Sequence, residues 1–314
     1  DEGRAVATSG DPLDLSGSAR LALAIVGEGA PDLWRTEHDE LAWYARTGTP
    51  AAGDPVEVDG HSIGGGISRA ERGALVVWCK GGGGPWHGHA DHTTVAVRLG
   101  DEWLIGDPGT GNYNGRDESR SFLRSSAAHA VLILDGEDQL VPHRAFRWAH
   151  TATGRVGAPL DLPGARVLWC AHDAYRRCSP SRRIARVVVI AEDGSGLVVA
   201  DWVEGPPGPE WQLALPGAPA SHWVDGRLST ADGTTAHLAF LTEGVTTEVE
   251  EGMWSSTYGA VEPAPRLLAR GTVGGPVAWA LRVEPAGPTS DATVHGDLLR
   301  VAGATVTISW LDGA

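Results

Sequence analysis

Between Gly81 and His92 the chain reads GGGGPWHGHADH, which sets His87, His89, Asp91 and His92 within six residues behind four consecutive glycines. Imidazole and carboxylate groups at this density hold divalent metal ions or transfer protons. Glycine carries no Cβ and takes positive φ at little cost, so such a loop folds closely around whatever the histidines hold. Trp86, beside the first histidine, offers an aromatic face for packing or stacking.

These side chains need a frame. Ser16 to Val26 reads as a helix with Ser16 or Ser18 as N-cap, and Pro31 to Arg46 as a second helix with Pro31 in its first turn. Beyond a Gly-, Pro- and Ala-rich stretch at 47–55 the pattern becomes one of short β-type runs. They fall at Ala74–Cys79, Thr93–Leu99, Trp103–Ile105, Ala130–Leu134, Arg166–Cys170 and Ile184–Ile190. More follow at Leu197–Val203, Trp211–Leu215, Ala236–Leu241, Pro276–Val283 and Thr305–Trp310. Turn dipeptides such as Asp135-Gly136, Asp193-Gly194 and Asp225-Gly226 separate them. The fold class expected is mainly β: a large antiparallel β-sandwich over 51–314, preceded by two short α-helices within 1–50. Trp78, Trp169 and Trp202 lie inside apolar runs and are expected in the core.

Composition narrows the function classes. A net charge of −15 over 314 residues argues against general binding to nucleic acid or an anionic membrane. No apolar run approaches the roughly 20 residues of a membrane-spanning helix. The only methionine is Met253, and a chain opening Asp-Glu-Gly-Arg is expected to be processed or one piece of something longer. Three cysteines without a CxxC pair argue against a disulfide scaffold. Cys79 reads as a small buried side chain; Cys170 and Cys178 are close enough in sequence to pair, and nothing in the sequence decides it. The compartment stays open.

Two family resemblances compete for the histidine stretch. HGHADH matches the HxHxDH signature of metallo-β-lactamase-like hydrolases, but there the motif leads into a helix. Here Thr93–Leu99 alternates like a strand, Gly100-Asp101 turns, and the chain returns through Glu102–Ile105. The second resemblance takes in more of the chain. GHGHAD, then DPGT at 107–110 with Tyr113 close behind, then RSSAAH at 124–129 before an apolar strand, resembles the heparinase II/III-like family. AHDAYRR at 171–177, GLVVADWVEG at 196–205 and MWSSTYG at 253–259 agree with it, so that it spans roughly 60–285.

That second resemblance implies the C-terminal β-sandwich domain of a polysaccharide lyase, whose N-terminal half is an α-helical toroid. The two helices before residue 50 are then its remnant, and a separate or missing toroid chain is the expected partner. It further implies a zinc ion, ahead of calcium, held by His89, Asp107 and His129, with an open coordination position and a mainly structural role. His87 and Tyr113 are the implied proton-transfer residues. Arg120 and Arg124 are candidates to meet an acidic sugar, with a surface ion-pair role equally open, and Trp86 is the candidate stacking residue. Asp91 and His92 read as loop-organising residues and His172 as a weak further candidate. The function expected is β-elimination of an acidic, uronic-acid-containing glycan or a related small molecule. The alternatives are a non-catalytic carbohydrate-binding or scaffold module stapled by zinc, and the metallo-β-lactamase-like hydrolase, which needs His87 and His92 as ligands as well.

Overall fold

The computed structural model describes residues 66–81, 88–112, 118–144, 147–284, 293–295, 298–301 and 304–307. The two expected N-terminal helices, Trp86, His87 and Tyr113 lie outside the described residues.

The described chain is built almost wholly of antiparallel strands. A four-stranded sheet runs β1 (Ile67–Arg72), β2 (Leu75–Lys80), β3 (Val95–Leu99) and β4 (Glu102–Ile105) as a meander. A short helix, α1 (Glu118–Arg124), and a 3-10 turn over Ser126–Ala128 lead into β5 (Leu132–Leu134). A two-stranded ribbon follows, β6 (Pro142–Arg144) with β7 (Arg147–Trp148).

A nine-stranded sheet forms the centre. Its backbone is β8 (Gly154–Val156), β10 (Ala165–His172), β11 (Arg183–Ala191), β12 (Gly196–Glu204) and β19 (Val277–Val283). It continues through β16 (Thr235–Phe240), β15 (Arg227–Ser229) and β14 (His222–Val224), with β9 (Leu160–Leu162) beside β10. A further sheet orders β17 (Thr246–Trp254), β18 (Glu262–Thr272), β13 (Glu210–Pro216) and β5. Three short strands, β20 (Thr293–His295), β21 (Leu298–Val301) and β22 (Ala304–Thr307), close the described chain.

Side chains alternate faces along a strand, and the central sheet uses both. On β11, Ile184, Val188 and Ile190 join the main core with Leu75, Val77, Val97 and Leu213, while Val187 and Val189 join Val198, Ala200 and Trp202 on the opposite face. Burial on both faces explains why these strands read as continuous apolar runs rather than alternating ones. Trp78 and Trp202 are buried as expected, whereas Trp169 is only half-buried and covers Gly157. Turn chemistry is equally local: Asp225 and Gly226 take φ of +50° and +75° between β14 and β15, the left-handed pair that a two-residue hairpin needs.

Two expectations need correcting. Cys79 is not a lone thiol: it is disulfide-bonded to Cys170, 91 residues away, and Cys178 is the free cysteine. The bond ties β2 to β10 inside the main core, a proximity created by sheet packing and invisible in sequence spacing. The sandwich also has more strands than the apolar runs indicated. β17 carries Glu248, Glu250 and Glu251 and is exposed over most of its length, so burial leaves little apolar pattern on it.

Candidate functional site

Three loops at the edge of the main core carry the site. The first leaves β2 at Lys80 and returns at β3. Its described part, residues 88–94, is pinned to the end of α1: Ala90 N–H donates to Arg124 O at 2.9 Å, and the Ser126 hydroxyl donates to Ala90 O at 2.6 Å. Thr93 sits at φ +66°, uncommon for a β-branched residue, and its N–H donates to Lys80 O at 2.7 Å. The second loop follows β4. Gly106 lies flat under the Trp254 indole, where any Cβ would overlap the ring, and Gly106 N–H donates to Pro216 O at 3.0 Å. Asp107 then caps its own turn, Oδ1 accepting from Gly109 N–H at 3.0 Å. The third loop is the 3-10 turn ending at His129.

These loops bring His89, Asp107 and His129 together. The His89 and His129 rings are 5.1 Å apart, and His129 Nδ1 is 3.5 Å from Asp107 Oδ2. All three residues are buried. On His129, Nε2 donates to Leu123 O at 3.0 Å; on His89, Nε2 bonds the Thr110 hydroxyl at 2.7 Å, which also accepts from Arg120 Nη1 at 3.2 Å. Nδ1 of each ring and Oδ2 of Asp107 are left buried with no hydrogen-bond partner. Two imidazoles and a carboxylate with unpartnered buried atoms, their far sides already satisfied, are donor types that zinc takes.

Asp91 also reaches this cluster: its carboxylate and one nitrogen each of His89 and His129 lie within 4.8 Å of one another. Proximity alone would make it a ligand ahead of Asp107. Its hydrogen bonds argue otherwise, because Lys80 Nζ donates to both its oxygens, at 2.7 and 2.6 Å. Asp107 Oδ2 has no such donor.

The electrostatics agree with a neutral first imidazole. Burial pushes the His89 pKa well below the ordinary histidine value, and His129, Lys80, Arg120 and Arg124 push the same way. For His129 burial also lowers the pKa, but the negative charge of Asp107 beside it outweighs this and holds it above the usual value. A field that draws a proton between His129 and Asp107 draws a metal cation as well.

Among the other expected residues, His92 lies apart from the ligand cluster. Its backbone is held by the Gln139 amide, which accepts from His92 N–H at 2.8 Å and donates to His92 O at 2.9 Å, and its ring stacks toward His172 at 5.7 Å. His172 is buried and accepts from Ala174 N–H through Nδ1 at 3.2 Å. Arg120 and Arg124 are buried rather than on the surface. Arg120 braces Thr110, and the Arg124 guanidinium stands 4.3 Å over the Trp148 ring.

Sequence reasoning missed Lys80, Thr110, Gln139 and Arg186. Lys80 carried a usable signal: it is the one lysine among 25 basic residues, at the end of an apolar strand. Arg186 lies on β11 in cross-strand register with Asp201 of β12, both 0% exposed. Its Nε and Nη2 donate to the two Asp201 oxygens, each at 2.7 Å, and Nη1 donates to Thr93 O at 2.7 Å and to Ala130 O. One guanidinium therefore fixes both histidine-bearing loops to the central sheet.

The sequence matches the family model for the heparinase II/III-like C-terminal domain over residues 58–294. The chain belongs to the heparinase II/III-like family. Solved structures show the same fold. A heparan sulfate lyase HepC mutant from Pedobacter heparinus superposes at a TM-score of 0.66 with 14% identity, covering 98% of this chain and 50% of its own. A heparinase III gene product gives 0.60 at 17% identity over 87% of this chain and 45% of its own, and another heparinase III gives 0.61 at 13% over 83% and 44%. The chain thus spans about half the length of the structures it resembles. No curated protein sequence matches it. Family membership and the antiparallel sandwich replace the metallo-β-lactamase-like reading, and among the described residues His92 is not in the ligand cluster which that reading requires. No helix among the described residues is long and apolar enough to cross a membrane.

Proposed function

We propose that this heparinase II/III-like domain is the β-sandwich part of a lyase that cleaves an acidic, uronic-acid-containing glycan or glycoside, with an α-helical toroid completing the cleft. The reading is carried by the three unpartnered buried ligand atoms of His89, Asp107 and His129, contributed by three separate loops. Those residues would hold zinc, which supplies a fixed positive charge that ties the loops together and leaves a position open to a further ligand.

The reaction needs a base, an acid and a sink for negative charge. A base takes the proton from C5, the C5–H electrons form the C4=C5 double bond, the C4–O4 bond breaks, and O4 leaves with a proton from an acid. His87, two residues before His89, and Tyr113, one residue beyond the described end of the Asp107 loop, are assigned these proton transfers. Charge on the sugar carboxylate rises as C5 loses its proton, and donors in a water-poor cleft stabilise it most. Arg120 and Arg124 add positive charge behind the site, and Trp86 is assigned to stacking on a sugar ring. The toroid is assigned the remaining groups.

Two measurements test this. Equilibrium dialysis should give one zinc per chain, lost in His129→Ala. Mixing the zinc-loaded chain with a toroid polypeptide and acidic glycans should raise ultraviolet absorbance as the unsaturated product forms. Zinc binding without any such rise, together with full glycan binding by His87→Ala and Tyr113→Phe, would leave the non-catalytic module as the correct reading.

A further inference from the structure

We infer that Lys80 holds Asp91 away from the metal and so keeps one coordination position open; this rests on the zinc reading above. A fourth possible protein ligand, Asp91, stands beside the three expected ones. His89, Asp91 and His129 offer one ligand atom each within 4.8 Å of one another, and Asp107 Oδ2 stands 3.5 Å from His129 Nδ1. Zinc with four protein ligands is closed, whereas three protein ligands leave room for water or substrate. The difference between the two states therefore lies in what Asp91 does.

Lys80 decides it. Its ammonium donates to both Asp91 oxygens at 2.7 and 2.6 Å, and both residues are buried, so the pair is shielded from water and salt. Backbone bonds fix the lysine to the same loop: Thr93 N–H donates to Lys80 O at 2.7 Å and Lys80 N–H to Thr94 O at 3.1 Å. These bonds place the lysine's backbone, and its two bonds to Asp91 hold the ammonium itself. Asp91 is fixed just as firmly, since Thr94 N–H donates to its carbonyl at 3.0 Å and Ala90 is bonded to α1 through both its amide and its carbonyl. Two rigidly placed groups satisfy each other, and a zinc ion must displace an ammonium to recruit the carboxylate.

Cobalt(II) in place of zinc reports the coordination, because zinc itself has no visible spectrum. The full chain is loaded with cobalt and titrated with azide. The wild-type spectrum should shift with azide, showing an exchangeable position. In Lys80→Met the released Asp91 should bind the metal, so that the azide response disappears. Lys80→Arg, which keeps two donors on the carboxylate, should respond like wild type. An unchanged azide response in a folded Lys80→Met chain would overturn the inference and leave the zinc reading intact. Should Lys80→Met fail to fold, Asp91→Asn decides: cobalt affinity equal to wild type supports the inference, and a large loss shows that Asp91 is already a ligand and overturns it. No metal binding by the wild-type chain removes the zinc reading, and this inference with it.

Discussion

Arg186→Met tests the physical account of how the site is held. Arg186 and Asp201 are fully buried and joined by two bonds of 2.7 Å, so the mutation leaves a carboxylate without a partner inside the core. Breaking a buried pair in this way costs about 3–5 kcal/mol. The carbonyls of Thr93 and Ala130 each lose a donor as well. At about 1 kcal/mol apiece, the low end of the penalty for an abandoned buried acceptor, the total is about 5–7 kcal/mol. That is a large share of the roughly 5–15 kcal/mol by which domains are stable. Urea denaturation followed by tryptophan fluorescence, in EDTA at pH 7, should place Arg186→Met near the edge of folding. Arg186→Met combined with Asp201→Leu should recover most of the loss, because no charge is then stranded. It should leave a deficit of about 2 kcal/mol from the two carbonyls. A loss below about 1 kcal/mol in the single variant, the size expected for an exposed pair, would refute the claim that this contact anchors the site loops.

Three other outcomes are expected. His172 and His92 have pKa values pushed below the ordinary histidine value, chiefly by burial, so the folded chain resists protons that the unfolded chain accepts near pH 6.5. Their contribution to stability is complete above about pH 6.5 and is lost as pH falls below it, with a slope of up to about 1.4 kcal/mol per pH unit for each imidazole. Urea melts from pH 7.5 to 5 should show His172→Gln flattening that slope by one proton, and an identical slope would contradict the assignment. Gly106→Ala must displace the Trp254 ring or shift the Asp107 loop, so zinc affinity measured by competition with a chelator should fall by about tenfold or more, as when a metal ligand loses its support. Thiol titration of the oxidised native chain should find Cys178 alone reactive. Reduction of the Cys79–Cys170 bond should lower stability by about 2–4 kcal/mol in urea melts.

The strands that read clearly in the sequence are those whose burial leaves a mark. β10, β11, β12, β13 and β19 each appear as an apolar run within two residues of their observed ends, because their side chains enter the core on one face or both. β17 and β18 left no such mark: glutamates and arginines are spread along them, and β18 includes Pro263 and Pro265. At the site, His89, Asp107 and His129 were named through the motifs that resemble the family, and the structure buries all three and sets His129 beside the other two. Arg186 was not, since an arginine in an apolar strand has no local feature that reveals an aspartate fifteen residues on directly opposite it.

By itself the sequence determined the strand-rich sandwich, the turns, and the three loops that hold the candidate ligands, because these depend on side-chain alternation, backbone freedom at glycine, and the order of short motifs. Only the packed structure decided which partner each polar group takes. It gave Asp91 to Lys80 and left Asp107 Oδ2 bare; it joined Cys79 to Cys170 and freed Cys178. Those choices depend on distances between segments far apart in the chain, and such distances exist only once the sheets have packed and water has been excluded from between them.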